Sequence, residues 1–227
     1  MASPAELRAA EFTGILWAAI RAAGGARPPT REHRHFPGAY EAGWLAELPL
    51  PIDGARPPGQ PVALLDDRDE FERHLDSRAL GESYASRPRT WVYENLNRGA
   101  DGAWYSLAAR HLGHLARCEL QVVCSMFESR FGDESLGGHW DAWFGAIVQM
   151  DGAKVWEIGQ GVLDGVNHPA RNVTTRAGDV LLLPKGLPHA VQTPSDPGHS
   201  VHLAFAIDRD PDPSVCVTTG HTRAARP

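Results

Sequence analysis

A mainly β fold, an antiparallel sandwich or jelly-roll barrel with a helical and irregular N-terminal region, is what this sequence predicts. Three observations carry the prediction. Short runs rich in Val, Ile, Leu and aromatic residues recur at 120–127, 144–150, 153–158, 172–175, 179–183 and 200–207, each bounded by Gly, Pro, Asp or Asn. The 23 Gly and 18 Pro supply the turns that such a fold needs. Asp151-Gly152 falls between two of the runs and predicts a tight hairpin there. The 227 residues can bury a sizeable core and fit one domain with embellishments. The expected division is an N-terminal region over 1–117, a barrel over 118–208 and a tail over 209–227.

Residues 4–23 place Leu7, Glu11, Ile15 and Ala19 on one stripe and Phe12, Leu16 and Ile20 on the next. This is helical spacing with a wide apolar face, and Gly24-Gly25 is expected to stop the helix. Residues 27–60 are rich in Pro and Gly, with isolated Phe36, Tyr40 and Trp44, and predict an extended wrap anchored by those rings. His33 and His35, among Arg31, Glu32 and Arg34, read as an exposed charged turn. Residues 69–80 read as a short helix with Phe71 and Leu75 inward, and 90–95 as a strand. Trp104, Leu107, Ala108, His111, Leu112 and Leu115 mark one face of a further helix, with His111 at the edge of the core.

Composition narrows the function. A net charge of −6 and a pI near 6.0 give no general attraction to nucleic acid or to an anionic membrane. The apolar stretch at 12–20 is too short to span a bilayer, and Glu6, Arg8, Glu11 and Arg21 bracket it, so no targeting segment is indicated. Cys118, Cys124 and Cys216 are odd in number and lack C-x-x-C spacing, which argues against a disulfide framework or a zinc ribbon and for a cytoplasmic protein.

The chemistry concentrates in Gly138-His139-Trp140-Asp141 and, about fifty residues later, Pro188-His189. On an extended strand residues i and i+2 project from one face, so His139 and Asp141 can grip one ion from inside a barrel, with His189 arriving from another strand. Two imidazoles and one carboxylate hold non-haem Fe(II) by one face and leave the other open. Their rival reading is a surface ion pair and a core histidine. The tripeptide alone is weak: with 11 His and 28 acidic residues, about one chance H-x-acid is expected in such a chain. His74-Leu75-Asp76 fits that accident, since on the helix expected there the two side chains point about 200° apart.

The region 120–207 resembles the JmjC-like cupins of the ribosomal-oxygenase group, Fe(II)- and 2-oxoglutarate-dependent protein hydroxylases. The resemblance rests on Gly138-His139-Trp140-Asp141, on 148–156 (VQMDGAKVW), on 177–189 (AGDVLLLPKGLPH) and on 199–203 (HSVHL). It implies a double-stranded β-helix, or cupin barrel, and a dioxygenase that decarboxylates 2-oxoglutarate to succinate while hydroxylating an amino-acid side chain of a peptide or protein. It implies His139, Asp141 and His189 as iron ligands and Lys154 as the cation facing the distal carboxylate of 2-oxoglutarate. The family's Asn and Tyr, fourteen and twelve residues before the first iron histidine, are Ser125 and Phe127 here, and a serine on the last strand is Ala206. Ser125 is then the hydroxyl left for the cosubstrate, and Lys154 carries more of its recognition because Phe127 and Ala206 cannot hydrogen-bond. Those departures keep open a metal-dependent cupin acting on a small, amino-acid-like molecule without 2-oxoglutarate, and a non-catalytic cupin that binds a partner.

Trp140, Trp143 and Trp156 are candidates for the substrate entrance, with core packing the commoner fate of such rings. His199 and His202, three apart on the last strand, are expected to face opposite sides, His199 as an outer partner of a ligand. Too few residues follow Ile207 for the family's dimerisation and winged-helix additions, so a monomer or homodimer without them is expected.

Overall fold

Helix α1 (Pro4–Ala22) begins with a capping box, in which the Ser3 hydroxyl accepts the Glu6 N–H and the Glu6 carboxylate accepts the Ser3 N–H. Pro4, whose missing N–H would have no helical partner, occupies the first turn. In this computed structural model, which describes residues 2–23, 32–53, 60–65, 70–98, 102–116, 122–159, 162–163, 166–167, 170–207 and 222–223, α1 buries Phe12, Leu16 and Ile20 and leaves Leu7 outside. Gly24-Gly25 and the expected domain boundaries near 117 and 208 lie outside the described residues.

The wrap that follows is held by its rings. Tyr40 stacks on Phe12 at 5.0 Å and on Trp44 at 6.0 Å, and its hydroxyl donates to the Phe12 carbonyl. Strand β1 (Arg34–Phe36) makes this segment a sheet edge rather than an exposed turn, and His35 pairs at 2.9 Å with the buried Asp179. Helix α2 (Ala42–Ala46) and β2 (Val62–Leu65) precede a second departure from expectation. Residues 71–74 form strand β3 (Phe71–His74), and α3 (Ser77–Ser86) starts only after Asp76, whose carboxylate caps it through the Ala79 N–H. Pairing with β2 overrides local helical spacing, and Leu75 ends 63% exposed. His74 bonds Glu72 on the surface, so this H-x-D is not a metal pair.

Strand β4 (Thr90–Tyr93) and helix α4 (Trp104–Leu115) lead into β5 (Val123–Arg130), β6 (His139–Trp140) and the long β7 (Phe144–Ile158). On α4 the buried face turns from the expected one to include Tyr105, Ala109 and Gly113, leaving Leu115 at its rim. There follow β8 (Val162–Leu163), β9 (Val166–Asn167), β10 (Arg171–Arg176), β11 (Val180–Leu183), β12 (His189–Gln192), β13 (His199–Ile207) and β14 (Thr222–Arg223). One sheet runs β1-β11-β7-β13-β5-β4-β2-β3 and the other β10-β7-β12-β6-β14, while β8 pairs β9. The fold is thus a mainly antiparallel β barrel of the cupin type, to which the N-terminal region adds strands as well as helices.

Strand β7 belongs to both sheets. Its first half pairs β11 and β13, and its second half pairs β10 and β12. Asp151-Gly152 is therefore not a hairpin loop but part of a bulged bend in one strand: Val201 faces Asp151 and His202 faces Gln149, leaving Met150 as the extra residue. Gly152 is required there, because its φ is +65° and a Cβ would stand 2.1 Å from the His199 carbonyl oxygen. One inserted residue exchanges the two faces of a strand. Before the bulge Ala146, Val148 and Met150 face the helices and Gly145 and Ile147 the barrel interior; after it Lys154 and Trp156 turn inward.

The main core lies between the helices and the outer face of the first sheet, where Phe12 meets Trp104 at 5.0 Å and Phe205 at 5.8 Å. Burial of such a ring contributes about 1.5–3 kcal/mol. Ile147, Trp156, Ile158, Leu181, Leu183 and Leu187 form a second cluster inside the barrel. No helix among the described residues is long and apolar enough to cross a membrane.

Candidate metal centre

His139 and His189 are direct cross-strand partners of β6 and β12, with ring centroids 4.3 Å apart. Both are nearly buried. Each ring is oriented by the chain just before it: His139 Nδ1 lies 2.9 Å from the Gly137 carbonyl and His189 Nδ1 3.0 Å from that of Leu187. A carbonyl only accepts, so both Nδ1 atoms carry the proton and both Nε2 atoms present a lone pair. Such outer hydrogen bonds are what fix the tautomer of a metal-ligating histidine.

Asp141 completes the set. Its Oδ1 stands 4.0 Å from His139 Nε2 and its Oδ2 3.7 Å from His189 Nε2, and one donor atom from each residue lies within 4.8 Å of the others. These separations are too long for hydrogen bonds and suit three ligands around one ion. The Gly186 N–H donates to the Asp141 carbonyl at 2.8 Å, tying the loop before His189 to the loop after His139. Two imidazole nitrogens and a carboxylate oxygen on one side of an open cavity fit a divalent transition metal such as Fe(II).

The triad borders a cavity of about 970 Å³, counting the part open to solvent, whose walls are mainly apolar. Trp143 and Trp156 line it and Trp140 does not. Leu65, Phe71 and Val92 bring β2, β3 and β4 into its wall, a contribution of the N-terminal region with no local signal in the sequence.

Lys154 also lines this cavity and is 1% exposed. Its ammonium donates to Ser129 Oγ at 2.7 Å and Thr193 Oγ1 at 3.1 Å, and the two hydroxyls are 2.7 Å apart. Among the described residues no carboxylate pairs with it. Burial pulls its pKa down from 10.5 to about 8, only partly opposed by the charge of Asp133. A buried cation held by two neutral hydroxyls is arranged to receive an anion.

Ser125 lines the cavity near Phe127 and Ala206, but the hydroxyl that touches Lys154 belongs to Ser129. Sequence reading missed Ser129, although it shares the face of Ser125 and Phe127 on β5, and missed Thr193, which has no local signature. His199 is not an outer partner of a ligand, for it pairs with Asp151 at the surface at 2.9 Å. His202 faces the opposite way, into the cavity, as strand alternation requires.

Comparison with known proteins agrees with this architecture. Residues 105–211 match the JmjC domain family. Ribosomal oxygenase 2 from Rattus norvegicus is 28% identical over 96 residues, covering 37% of this chain and 21% of the relative, and the Bos taurus protein matches to the same extent. The chain thus spans about a fifth of the length of these curated relatives. The structure of YcfD, a ribosomal oxygenase from Escherichia coli, superposes with a TM-score of 0.57 at 14% identity, covering 87% of this chain and 52% of that one. Its complex with cobalt and 2-oxoglutarate gives 0.51 at 14% identity, with 80% and 49% covered. The barrel is thus similar to the JmjC-like cupins of the ribosomal-oxygenase type.

Proposed function

We propose that this protein is an Fe(II)- and 2-oxoglutarate-dependent oxygenase that hydroxylates an amino-acid side chain of a peptide or protein. The reading rests above all on one observation: three convergent metal donors and a buried, carboxylate-free lysine share a single cavity. In this reading His139, Asp141 and His189 hold the metal, and Lys154 takes the far carboxylate of 2-oxoglutarate. When bound, the iron and cosubstrate supply oxidation by O₂ coupled to loss of CO₂ and formation of succinate.

The chain's own part is placement and exclusion. The Gly137 and Leu187 carbonyls keep the two imidazole Nε2 atoms aimed at one point. Lys154 fixes how deep the dicarboxylate sits, and Ser125 adds a hydroxyl along its path. Leu136, Trp143, Ile147 and Val191 line the same space with apolar surface, which keeps bulk water from the oxidising centre. The names of the relatives and the solved complex with 2-oxoglutarate support a protein hydroxylase of this class.

Anaerobic titration of the Fe(II)-loaded protein with 2-oxoglutarate tests the reading. The expected result is a weak visible charge-transfer absorption that needs His139 and Lys154, followed by stoichiometric succinate on admission of O₂. Iron binding with neither absorption nor succinate would overturn it in favour of a cupin that does not use 2-oxoglutarate.

A further inference from the structure

His202 is a buried polar group that the proposed chemistry leaves without a task. It sits on β13, is 5% exposed and lines the cavity. Its ring stacks on Phe127, its cross-strand partner, at 5.0 Å and 7°, and meets Trp156 edge-on at 5.6 Å. No described residue hydrogen-bonds its side chain; Nδ1 is shut off from solvent, so Nε2 is the ring atom open to a molecule in the cavity. Native structures rarely keep a buried polar atom unpaired without a use for it. Burial, and secondarily the charge of Lys154, hold its pKa well below 6.5, so the ring is neutral and carries one N–H donor.

Its position places it beside the lysine. Phe127 and Ser129 project from the same face of β5, and His202 lies opposite Phe127, so it is a diagonal neighbour of the hydroxyl on which Lys154 rests. Trp156, which the ring touches, is two residues beyond Lys154 on the inward face of β7. The ammonium, backed by two hydroxyls, and the unpaired imidazole thus line one cavity together with the three convergent donors, and Trp156 stands between His202 at 5.6 Å and His189 at 6.0 Å.

We infer that His202 is a second anchor for the distal carboxylate of the cosubstrate: its Nε2–H donates to one carboxylate oxygen while Lys154 pairs with the other. This deepens the proposed function and rests on it. His202 is thereby a residue that selects 2-oxo dicarboxylates over 2-oxo monocarboxylates, and not merely an aromatic filler between Phe127 and Trp156.

The test compares two ligands that differ only at the far end, 2-oxoglutarate and 2-oxopentanoate, by calorimetric titration of Mn(II)-loaded protein. The native protein is expected to prefer the dicarboxylate strongly. His202→Phe, which keeps a stacking ring but removes the donor, is expected to lose about tenfold in 2-oxoglutarate affinity and none for 2-oxopentanoate. His202→Gln, which restores an N–H, is expected to recover most of the loss. Equal loss for both ligands, or no loss for either, with an unchanged thermal midpoint, would show the ring to be packing alone. Failure of the native protein to distinguish the ligands would instead overturn the dicarboxylate reading itself and this inference with it.

Discussion

At the metal end of the cavity each imidazole is oriented by a carbonyl two residues earlier in its own chain, whereas at the other end Lys154 is held by hydroxyls brought from β5 and from beyond β12. The first arrangement is local: a His-x-Asp on a strand and a histidine after a turn need only one cross-strand pairing, His139 with His189, to converge. The second depends on register. Lys154 faces inward only because β7 gains a residue at Met150, and its two hydroxyl partners lie 25 and 39 residues away in sequence. Disturbing the metal end should therefore leave the fold intact, while disturbing the register that turns Lys154 inward should reach through the whole barrel.

The largest expected effect separates the two ends outright. His189→Ala should abolish stoichiometric metal binding and lower turnover by at least about a thousandfold while the circular dichroism spectrum stays native, since one lost ligand leaves the metal two donors. A loss of native signal instead would show that the triad is part of the core.

Gly152→Ala strikes the register. A Cβ there meets the His199 carbonyl at 2.1 Å in a backbone conformation that L side chains rarely adopt. The expected cost is about 3 kcal/mol, or roughly 6–12 °C in thermal midpoint for a chain of this size, with dicarboxylate affinity lost before metal affinity. Metal and dicarboxylate affinities falling together would erase the contrast between the ends.

Lys154→Met should weaken 2-oxoglutarate binding about a hundredfold in titration, spare the metal, and stabilise the ligand-free protein, because it removes an unpaired buried charge. The sign with pH follows from a folded-state pKa near 8 against 10.5 for the free side chain. Between those values the unfolded chain holds more protons, so stability of the ligand-free protein rises with pH across that window, and Lys154→Met flattens the rise. Dicarboxylate affinity, which needs the ammonium, is full below about pH 8 and falls up to tenfold per pH unit above it.

Ser129→Ala should produce the smallest change, about three- to tenfold in 2-oxoglutarate affinity, because Thr193 still receives the ammonium. A larger loss would mean that the hydroxyl touches the ligand itself.

Residue types and strand alternation were enough to specify the barrel and the corner where His139, Asp141 and His189 converge. The six apolar runs mark the strands, His139 and Asp141 share a face by period two, and His189 follows a turn that returns the chain to the same mouth. The sequence even separates His199 from His202 by parity, though not which of them faces the cavity. What it left undecided are features in which distant pairing outweighs local preference: strand rather than helix at 71–74, a bulge rather than a hairpin at Asp151-Gly152, and Leu65, Phe71 and Val92 as cavity wall. Side-chain spacing fixes which residues share a face, but only the register against neighbouring strands decides which face is the inside. That is why the triad could be read from the chain alone, while the meeting of Lys154, Ser129, Thr193 and His202 became visible only in the folded barrel.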